Sequence, residues 1–268
     1  MDYFKNLDNI KEAFRKYVKL LPNNGLLVIN ADDKNSFDLY KYTTAKVLTY
    51  ALYNENANFI AKNVKFDNNG FPTFDVYLER KFFDTFTLSI SGIHNVLNAL
   101  ACIALCHQYG ISNEVIKRAF ASFTGANRRM EYKGTVQGAK IFDDYAHHPT
   151  EIKATADALN RKDFNESWVV FQPHTYSRLK NLLYDFAESL LDFDHIIVTD
   201  VYAAREKDTY GISSEDLVNK ILAMGKKVEY IKDFSEIVDY LKENVKENDV
   251  ILTLGAGTVT NIGPMLLN

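Results

Sequence analysis

The 268-residue chain has only two cysteines, Cys102 and Cys106, which lie four residues apart within an apolar helical pattern. Such a pair, with no His or Cys neighbour at ligand spacing, is a poor metal site. The sequence favours buried free thiols in a reducing compartment, so we expect a cytoplasmic protein. No residue is assigned as a metal ligand.

The sequence also lacks any apolar run long enough to cross a membrane, and it does not open with signal-peptide architecture. Its formal net charge of -4 gives no basic footprint, so we expect no nucleic-acid partner and no membrane span. Walker A, GxSxG and HExxH sequences are absent from the 268 residues.

The first half of the chain predicts an α/β unit that carries extra strands. Apolar residues recur at helical spacing from Leu7 to Leu21, and a buried strand follows at 26–30. Because no strand precedes this helix, we interpret the opening as a βαβ unit entered in the middle, which predicts a fragment. Short strands then follow at 46–51, 58–63, 73–78 and 84–89. The last two alternate in polarity, which favours antiparallel pairing in a β insert or at a sheet edge.

A largely buried helix is predicted at 94–109, with His94, Asn95 and Asn98 at its N-terminal end. Asn95 and Asn98 are three residues apart and therefore share one face. One of them could cap the helix, although a cap leaves the second asparagine unexplained. Another helix is predicted at 113–123.

The segment TGANRRMEY is the predicted joint between two domains, 1–124 and 125–268. Arg128 and Arg129 follow its glycine, and the planar fork of arginine suits phosphate groups. The alternative for Arg129 is an ion pair with a surface carboxylate.

The second half of the chain alternates strands with helices and predicts a mostly parallel sheet covered on both faces. Apolar strands are expected at 168–171, 196–199, 228–231 and 250–254. Helices are expected at 149–160, 179–191, 213–223 and 235–244. The loops after the strands collect polar groups on one edge, where open α/β sheets bind ligands. These loops contain the sequences FDDYAHHPTEI, FQPHTYSR, TDVYAAREKD and GAGT.

The loop FDDYAHHPTEI crowds Asp143, Asp144, Tyr145, His147 and His148 at a strand end. Proline at the next position suits the first turn of a helix, whose N-terminus favours anions. A plain capping loop is the alternative, and His148 could simply face solvent. The residues alone thus predict an α/β ligand-binding or catalytic domain. His107 and His195 are expected to lie without partners, as solvated or core histidines.

Four motifs in this order, HNVLNA, GANRR, FDDYAHHPTEI and FQPHTYSR, closely resemble the Mur ligases of bacterial cell-wall synthesis. The resemblance covers essentially the whole chain. It implies the later part of a P-loop-type central domain with a β insert, followed by a Rossmann-like C-terminal domain. It implies that ATP and Mg²⁺ activate a carboxylate as an acyl phosphate, which an amine then attacks. UDP-N-acetylmuramate and L-alanine are the implied substrates, in peptidoglycan precursor synthesis.

The resemblance also implies residue roles. For nucleotide binding it implies Asn95, Asn98, Arg128, Asp143 and Tyr145, with the asparagines near adenine and Tyr145 beside the base. For catalysis and amino-acid binding it implies His147, His174 and Arg178.

Two departures from the family pattern bear on activity. Thr175 stands where many relatives carry arginine, which puts a second arginine contact to the alanine carboxylate in doubt. The P-loop lysine, an acidic metal-binding segment and a UDP-binding domain are expected before Met1. We therefore predict that the chain is inactive alone and that its partner is this missing N-terminal part. The alternatives are a non-catalytic truncated paralogue that binds a nucleotide or a partner, and a Mur-type ligase for another amino acid.

Overall fold

The computed structural model of the protein describes residue 4, residues 6–207 and residues 210–268. The chain divides into two compact units, Met1–Thr124 and Gly125–Asn268. Both units are mixed α/β, so the predicted fold class is confirmed. Within the described residues, no helix has the length and hydrophobicity needed to cross a membrane.

The first unit contains four α-helices, one 3-10 helix at Asp38–Tyr42 and five strands in its described residues. The helices are α1 (Leu7–Val18), α2 (Lys34–Phe37), α3 (Ile93–Gln108) and α4 (Asn113–Ser122). The strands are β1 (Leu26–Asn30), β2 (Lys46–Ala51), β3 (Phe59–Phe66), β4 (Pro72–Leu78) and β5 (Lys81–Thr87).

The five strands of the first unit form one sheet in the order β1-β2-β3-β4-β5. Strands β1, β2 and β3 are parallel, whereas β4 and β5 pair antiparallel, as the alternating sequence predicted. The extra strands are therefore a sheet edge continuous with β1. Every second side chain of β4 is buried, and Phe74 and Val76 pack in the same core as Leu100 of α3.

Helix α3 is buried along one face only, which corrects the predicted burial around most of its circumference. Leu100 and Ile103 are fully buried, whereas Leu105 is 44% exposed. Cys102 is exposed and Cys106 is partly exposed, so the prediction of two buried thiols is wrong. Cys106 packs against the margin of the core between α3 and the sheet, so its burial is only partial.

The second unit contains six strands, six α-helices and one 3-10 helix at Thr258–Asn261 in its described residues. The strands are β6 (Glu131–Val136), β7 (Ala139–Asp144), β8 (Ser167–Phe171), β9 (His195–Val198), β10 (Glu229–Tyr230) and β11 (Val250–Leu254). The helices are α5 (Pro149–Leu159), α6 (Tyr176–Asn181), α7 (Leu183–Leu190), α8 (Ser214–Ala223), α9 (Phe234–Asn244) and α10 (Ile262–Leu267).

The strand order of this second sheet is β10-β9-β8-β11-β7-β6, and only β6 runs antiparallel to its neighbour. Alternate residues of β11 enter two separate cores, with Leu252 on one face of the sheet and Ile251 on the other. The predicted mostly parallel sheet with two covered faces is thereby confirmed.

Two local predictions differ from the structure. The helix predicted at 179–191 is two helices, because Leu182 leaves helical geometry (φ -124°, ψ 22°). The loop predicted from residue 143 begins two residues later, since Asp143 and Asp144 pair in register with β11 as the last residues of β7.

The two histidines that were expected to lack partners both have them, which corrects that prediction. His107 makes edge-on contacts with Phe83 at 5.1 Å between ring centroids. His195 stacks on Trp168 at 3.7 Å, and its Nε2 lies 3.1 Å from Glu166 Oε2. Glu166 is 29 residues away from His195 in the chain, so the local sequence does not reveal this contact.

Candidate functional site

Four loops of the second unit follow strands that end at the same edge of its sheet. Leu254 is paired with both Asp144 and Phe171, and Phe171 is paired with Val198, so four parallel strands end together. The polar segments that follow these strands are 145–148, 172–178, 199–207 and 255–258. The edge thus has the position at which open α/β sheets bind ligands.

Asp143 and Arg128, which are both predicted to bind nucleotide, form a buried ion pair at this edge. Asp143 is fully buried, and its Oδ2 lies 3.0 Å from Arg128 Nε. Thr253 donates to Oδ1 at 2.6 Å and Thr260 donates to Oδ2 at 2.9 Å, while Arg128 Nη2 donates to the carbonyl of Gly255 at 2.6 Å. A buried carboxylate needs such partners, so the oxygens of Asp143 are used to hold this part of the protein together.

Arg128 also forms a platform with Tyr145, the residue predicted to lie beside the base. Its guanidinium carbon lies 4.8 Å from the Tyr145 ring centroid, and the Tyr145 amide donates to the Arg128 carbonyl at 2.7 Å. Tyr145 is 37% exposed and offers an aromatic surface at the edge. Arg128 has φ +58°, and its amide donates to Glu131 Oε2 at 2.8 Å. This hydrogen bond, supported by Lys133, holds the pKa of Glu131 below its usual value.

Asp144 shapes the turn that follows β7. Its carboxylate accepts the amides of Ala146 and Met130, each at 2.8 Å. Burial raises the pKa of Asp144, although these hydrogen bonds oppose the shift. The carboxylate therefore fixes the loop from within the protein.

His147 and His148 have different tasks. His148 is the N-cap of α5, and its Nδ1 accepts the Thr150 amide at 3.3 Å, so the capping alternative holds for this residue. His147 Nδ1 lies 3.0 Å from the carbonyl of Tyr145 and 3.2 Å from Glu151 Oε2. Arg129 Nη1 lies 3.9 Å from the other oxygen of Glu151, which confirms its predicted pairing with a carboxylate.

His174 and Arg178 lie beside His147. The two histidine rings contact edge-on at 5.6 Å, and His174 Nδ1 lies 3.3 Å from Arg178 Nη1. Burial, then the charge of Arg178 and then His147 lower the pKa of His174, while Glu206 acts in the opposite direction. The three residues predicted for catalysis and amino-acid binding are thus brought together, with His174 in contact with the other two.

The loop at 199–207 contributes two residues that sequence reasoning did not single out. The Tyr202 ring stacks on His174 at 5.8 Å, and the Tyr202 carbonyl accepts the amide of Thr175 at 3.0 Å. Glu206 accepts the Ser177 amide at 3.0 Å and also the Ser177 hydroxyl. The sequence predicted that the loop after β9 lies at this edge of the sheet. It could not predict the contacts of Tyr202 and Glu206, because their partners are distant in sequence.

The GAGT segment is shaped by close packing against Gln172. A Cβ on Gly255, whose φ is +146°, would lie 2.7 Å from the carbonyl of Gln172. A Cβ on Gly257 would lie 2.3 Å from Gln172 Oε1 and 2.7 Å from Tyr202 Cγ. Only glycine fits at either position without a shift of its neighbours. Phosphate contact at GAGT stays a prediction.

In the first unit, Asn95 and Asn98 share a face of α3, but neither caps it. The N-cap is Gly92, with φ 103° and no side-chain hydrogen bond, so the capping alternative is wrong. Asn95 Nδ2 donates to the Ser91 carbonyl at 2.7 Å, and Asn98 Nδ2 donates to Asn95 Oδ1 at 3.1 Å. Their role at adenine stays a prediction.

The described residues do not fit a magnesium site. No group of three or more His, Cys, Asp or Glu among them is arranged to hold a metal ion. Asp143 is occupied by Arg128 and two threonines, and Asp144 by two amides.

The two-faced parallel sheet and its ionisable edge define the second unit as an α/β ligand-binding or catalytic domain. The Mur ligase middle domain matches residues 1–106, and the Mur ligase, glutamate ligase domain matches residues 128–257. The chain belongs to the Mur ligase family.

Similar proteins agree with this assignment. A UDP-N-acetylmuramate–L-alanine ligase from Caldanaerobacter subterraneus subsp. tengcongensis is 48% identical over 100% of this chain, which spans 58% of that relative's length. The crystal structure of a UDP-N-acetylmuramate–alanine ligase from Thermotoga maritima shares the fold, with a TM-score of 0.79 and 24% identity over 99% of this chain and 55% of that one. A MurF ligase from the same organism, solved in complex with ADP, has a TM-score of 0.76 and 20% identity, covering 98% of this chain and 58% of that one.

Proposed function

We propose that this chain is the amino-acid-receiving part of a UDP-N-acetylmuramate–L-alanine ligase, acting in peptidoglycan synthesis in the cytoplasm. The observation that carries the proposal is the convergence of His147, His174 and Arg178 at the strand edge. The name of the relative that is 48% identical supports alanine as the amino acid. The acceptor would be UDP-N-acetylmuramate, activated by ATP as an acyl phosphate.

Each residue of the edge has a task that its surroundings support. Arg178 supplies a fixed positive charge for the carboxylate of the amino acid. His174 is held neutral beside it and can donate a hydrogen bond. His147 can accept the proton that the amine loses when its nitrogen bonds to the acyl carbon and phosphate leaves.

For the nucleotide, we propose that Tyr145 stacks beside the base and that Arg128 and Asp143 hold the surrounding structure. Asn95 and Asn98 are proposed to contact adenine. The ADP bound by the MurF ligase of like fold is consistent with a nucleotide ligand. Base stacking on an aromatic ring contributes about 1–3 kcal/mol in other proteins.

We further propose that the 268 residues do not turn over by themselves, since they contain no Walker A lysine and no magnesium cluster among the described residues. A phosphate-release assay with ATP, UDP-N-acetylmuramate and L-alanine tests this point. Turnover by the purified chain would contradict it.

Amino-acid specificity is tested by saturation-transfer NMR with L-alanine and D-glutamate. We expect a signal from L-alanine that disappears in Arg178→Met and persists in Lys180→Met, a control on the same helix. A stronger signal from D-glutamate would instead support a ligase for another amino acid. Nucleotide binding without any amino-acid signal would favour a non-catalytic binding module.

A further inference from the structure

The rings of His147 and His174 contact each other, but their Nδ1 atoms face opposite kinds of partner. His147 Nδ1 lies 3.0 Å from the carbonyl oxygen of Tyr145 and 3.2 Å from Glu151 Oε2. A carbonyl and a carboxylate only accept hydrogen bonds. The proton of neutral His147 therefore belongs on Nδ1, which leaves the lone pair on Nε2.

His174 has the reverse arrangement. Its Nδ1 lies 3.3 Å from Arg178 Nη1, and a guanidinium group only donates. Acceptance from Arg178 places the proton of the neutral ring on Nε2, and it outweighs a lesser hydrogen bond between the ring and the backbone of His174 itself. Burial and the charge of Arg178 both lower the pKa of His174 and favour this neutral state.

We propose that the Tyr145 carbonyl together with Glu151 holds His147, and that Arg178 holds His174, in opposite tautomers, so that one ring presents an acceptor and the other a donor. Glu151 is thus a positioning residue, since it also fixes the loop by accepting the His147 amide at 3.0 Å. The inference deepens the proposed function and rests on it for the roles that follow.

The opposite tautomers divide the work of amide formation. The amine nitrogen bonds to the acyl carbon, the carbon–oxygen bond to phosphate breaks, and phosphate leaves with the electron pair. The proton lost by nitrogen passes to His147 Nε2. The Nε2–H of His174 donates to an anionic oxygen of the substrate.

Two other histidines provide internal references. His148 Nδ1 accepts the Thr150 amide at 3.3 Å, so its proton lies on Nε2. His195 Nε2 lies 3.1 Å from Glu166 Oε2 and therefore carries a proton. Among these four rings, His147 alone should have its proton on Nδ1.

The test is long-range ¹H–¹⁵N NMR of histidine-labelled chain at about pH 8.5, two units above the ordinary pKa of histidine. Single His→Gln variants assign the signals. The expected result is a protonated Nδ1 in His147 and a protonated Nε2 in His174, His148 and His195. The same tautomer in His147 and His174 would overturn the proposal.

Variants separate the contribution of each partner. Glu151→Ala should weaken the preference of His147 for a proton on Nδ1 without abolishing it, because the Tyr145 carbonyl remains as an acceptor. Glu151→Gln, which keeps a side-chain acceptor, should retain the wild-type preference. Arg178→Met should change His174 and leave His147 as it is. Lys153→Met, an exposed control on α5, should alter neither ring. An unchanged His147 in Glu151→Ala would remove Glu151 from its role.

These spectra are recorded without substrate, so they fail or succeed independently of the proposed ligase function. If the expected tautomers are found but L-alanine does not bind, the proposed ligand is wrong and the tautomer assignment stands. If L-alanine binds but His147 and His174 have the same tautomer, the tautomer assignment is wrong and the proposed ligand stands.

Discussion

The two regions with predicted nucleotide contacts are built in different ways. At the edge of the second sheet, Asp143 is bonded to side chains that are 15, 110 and 117 positions away in the chain. At the start of α3 in the first unit, Asn95 and Asn98 bond to groups four and three positions away. The first region depends on tertiary structure and the second on one helix turn. Substitutions should therefore affect stability strongly in the first region and weakly in the second.

The largest expected effect is that of Asp143→Ala. Removing this buried carboxylate leaves Arg128 without its ion-pair partner and removes the acceptor of Thr260 and the nearer acceptor of Thr253, so we expect a loss of about 3–5 kcal/mol in unfolding free energy. Denaturant unfolding followed by fluorescence of Trp168, the only tryptophan and a residue of β8, measures it.

Asp233→Ala is the matched control in the same unit, because this exposed N-cap of α9 accepts hydrogen bonds from Ser235, two positions away in the chain. Its loss should be clearly smaller. Equal losses of unfolding free energy in the two variants would show that long-range side-chain bonds stabilise the protein no more than local ones.

A smaller effect is expected for Gly257→Ala, whose Cβ would overlap Gln172 Oε1 and Tyr202 Cγ. Overpacking of this kind typically costs about 1–3 kcal/mol. Because Tyr202 stacks on His174, the NMR signal of His174 should also shift. Gly225→Ala, where a Cβ meets nothing within 4 Å, should leave that signal in place. A stable variant with an unmoved His174 signal would show that the edge is loosely packed.

Arg178→Met should raise the pKa of His174 without restoring the ordinary value of 6.5, since burial remains the larger cause of the lowered pKa. The groups around this ring are Arg178, His147, Glu206 and Tyr202. In the wild type, the lowered pKa means that stability is present above about pH 6.5 and is lost as pH falls through the folded pKa. This loss should be smaller in the variant.

NMR titration of the His174 ring measures the shift, with Lys180→Met as the control on α6. A lower pKa in Arg178→Met than in the wild type would contradict the electrostatic role assigned to Arg178.

The smallest effect is expected in the first unit. Asn98 is exposed, and among the described residues its side chain donates to Asn95 alone, so Asn98→Ala should change the unfolding free energy by no more than about 0.5 kcal/mol. Thermal unfolding followed by circular dichroism measures it. A loss of several kcal/mol would show that α3 depends on this asparagine after all.

Sequence periodicity was sufficient for elements that are buried by simple patterns. The continuous apolar run at Val250–Leu254 predicted β11 with its observed bounds. Proline, which suits the first turn of a helix, predicted the start of α5 at Pro149. Both features depend on neighbours within one turn or strand, which a single sequence contains.

Features that depend on distant partners could not be predicted in the same way. Asp143 and Asp144 resemble loop residues by charge, yet Thr253 and Arg128 allow Asp143 to lie within a buried strand. Glu206 is 29 residues from Ser177, the residue that it holds. The motifs identified the family and the candidate site residues. They did not show which of these side chains are already bonded to other residues of the protein.

We infer that the strand edge of the second unit is preformed to receive ligand, because Arg128, Asp143 and Tyr145 are already held in place by one another. Calorimetric titration of ATP, with and without Mg²⁺, into wild type and Tyr145→Ala tests this inference. Tyr184→Ala, which removes another exposed tyrosine of the second unit, is the control. We predict weak binding by wild type and Tyr184→Ala, and at least about tenfold weaker binding by Tyr145→Ala. No binding by wild type at millimolar ATP, or equal binding by all three proteins, would contradict the claim.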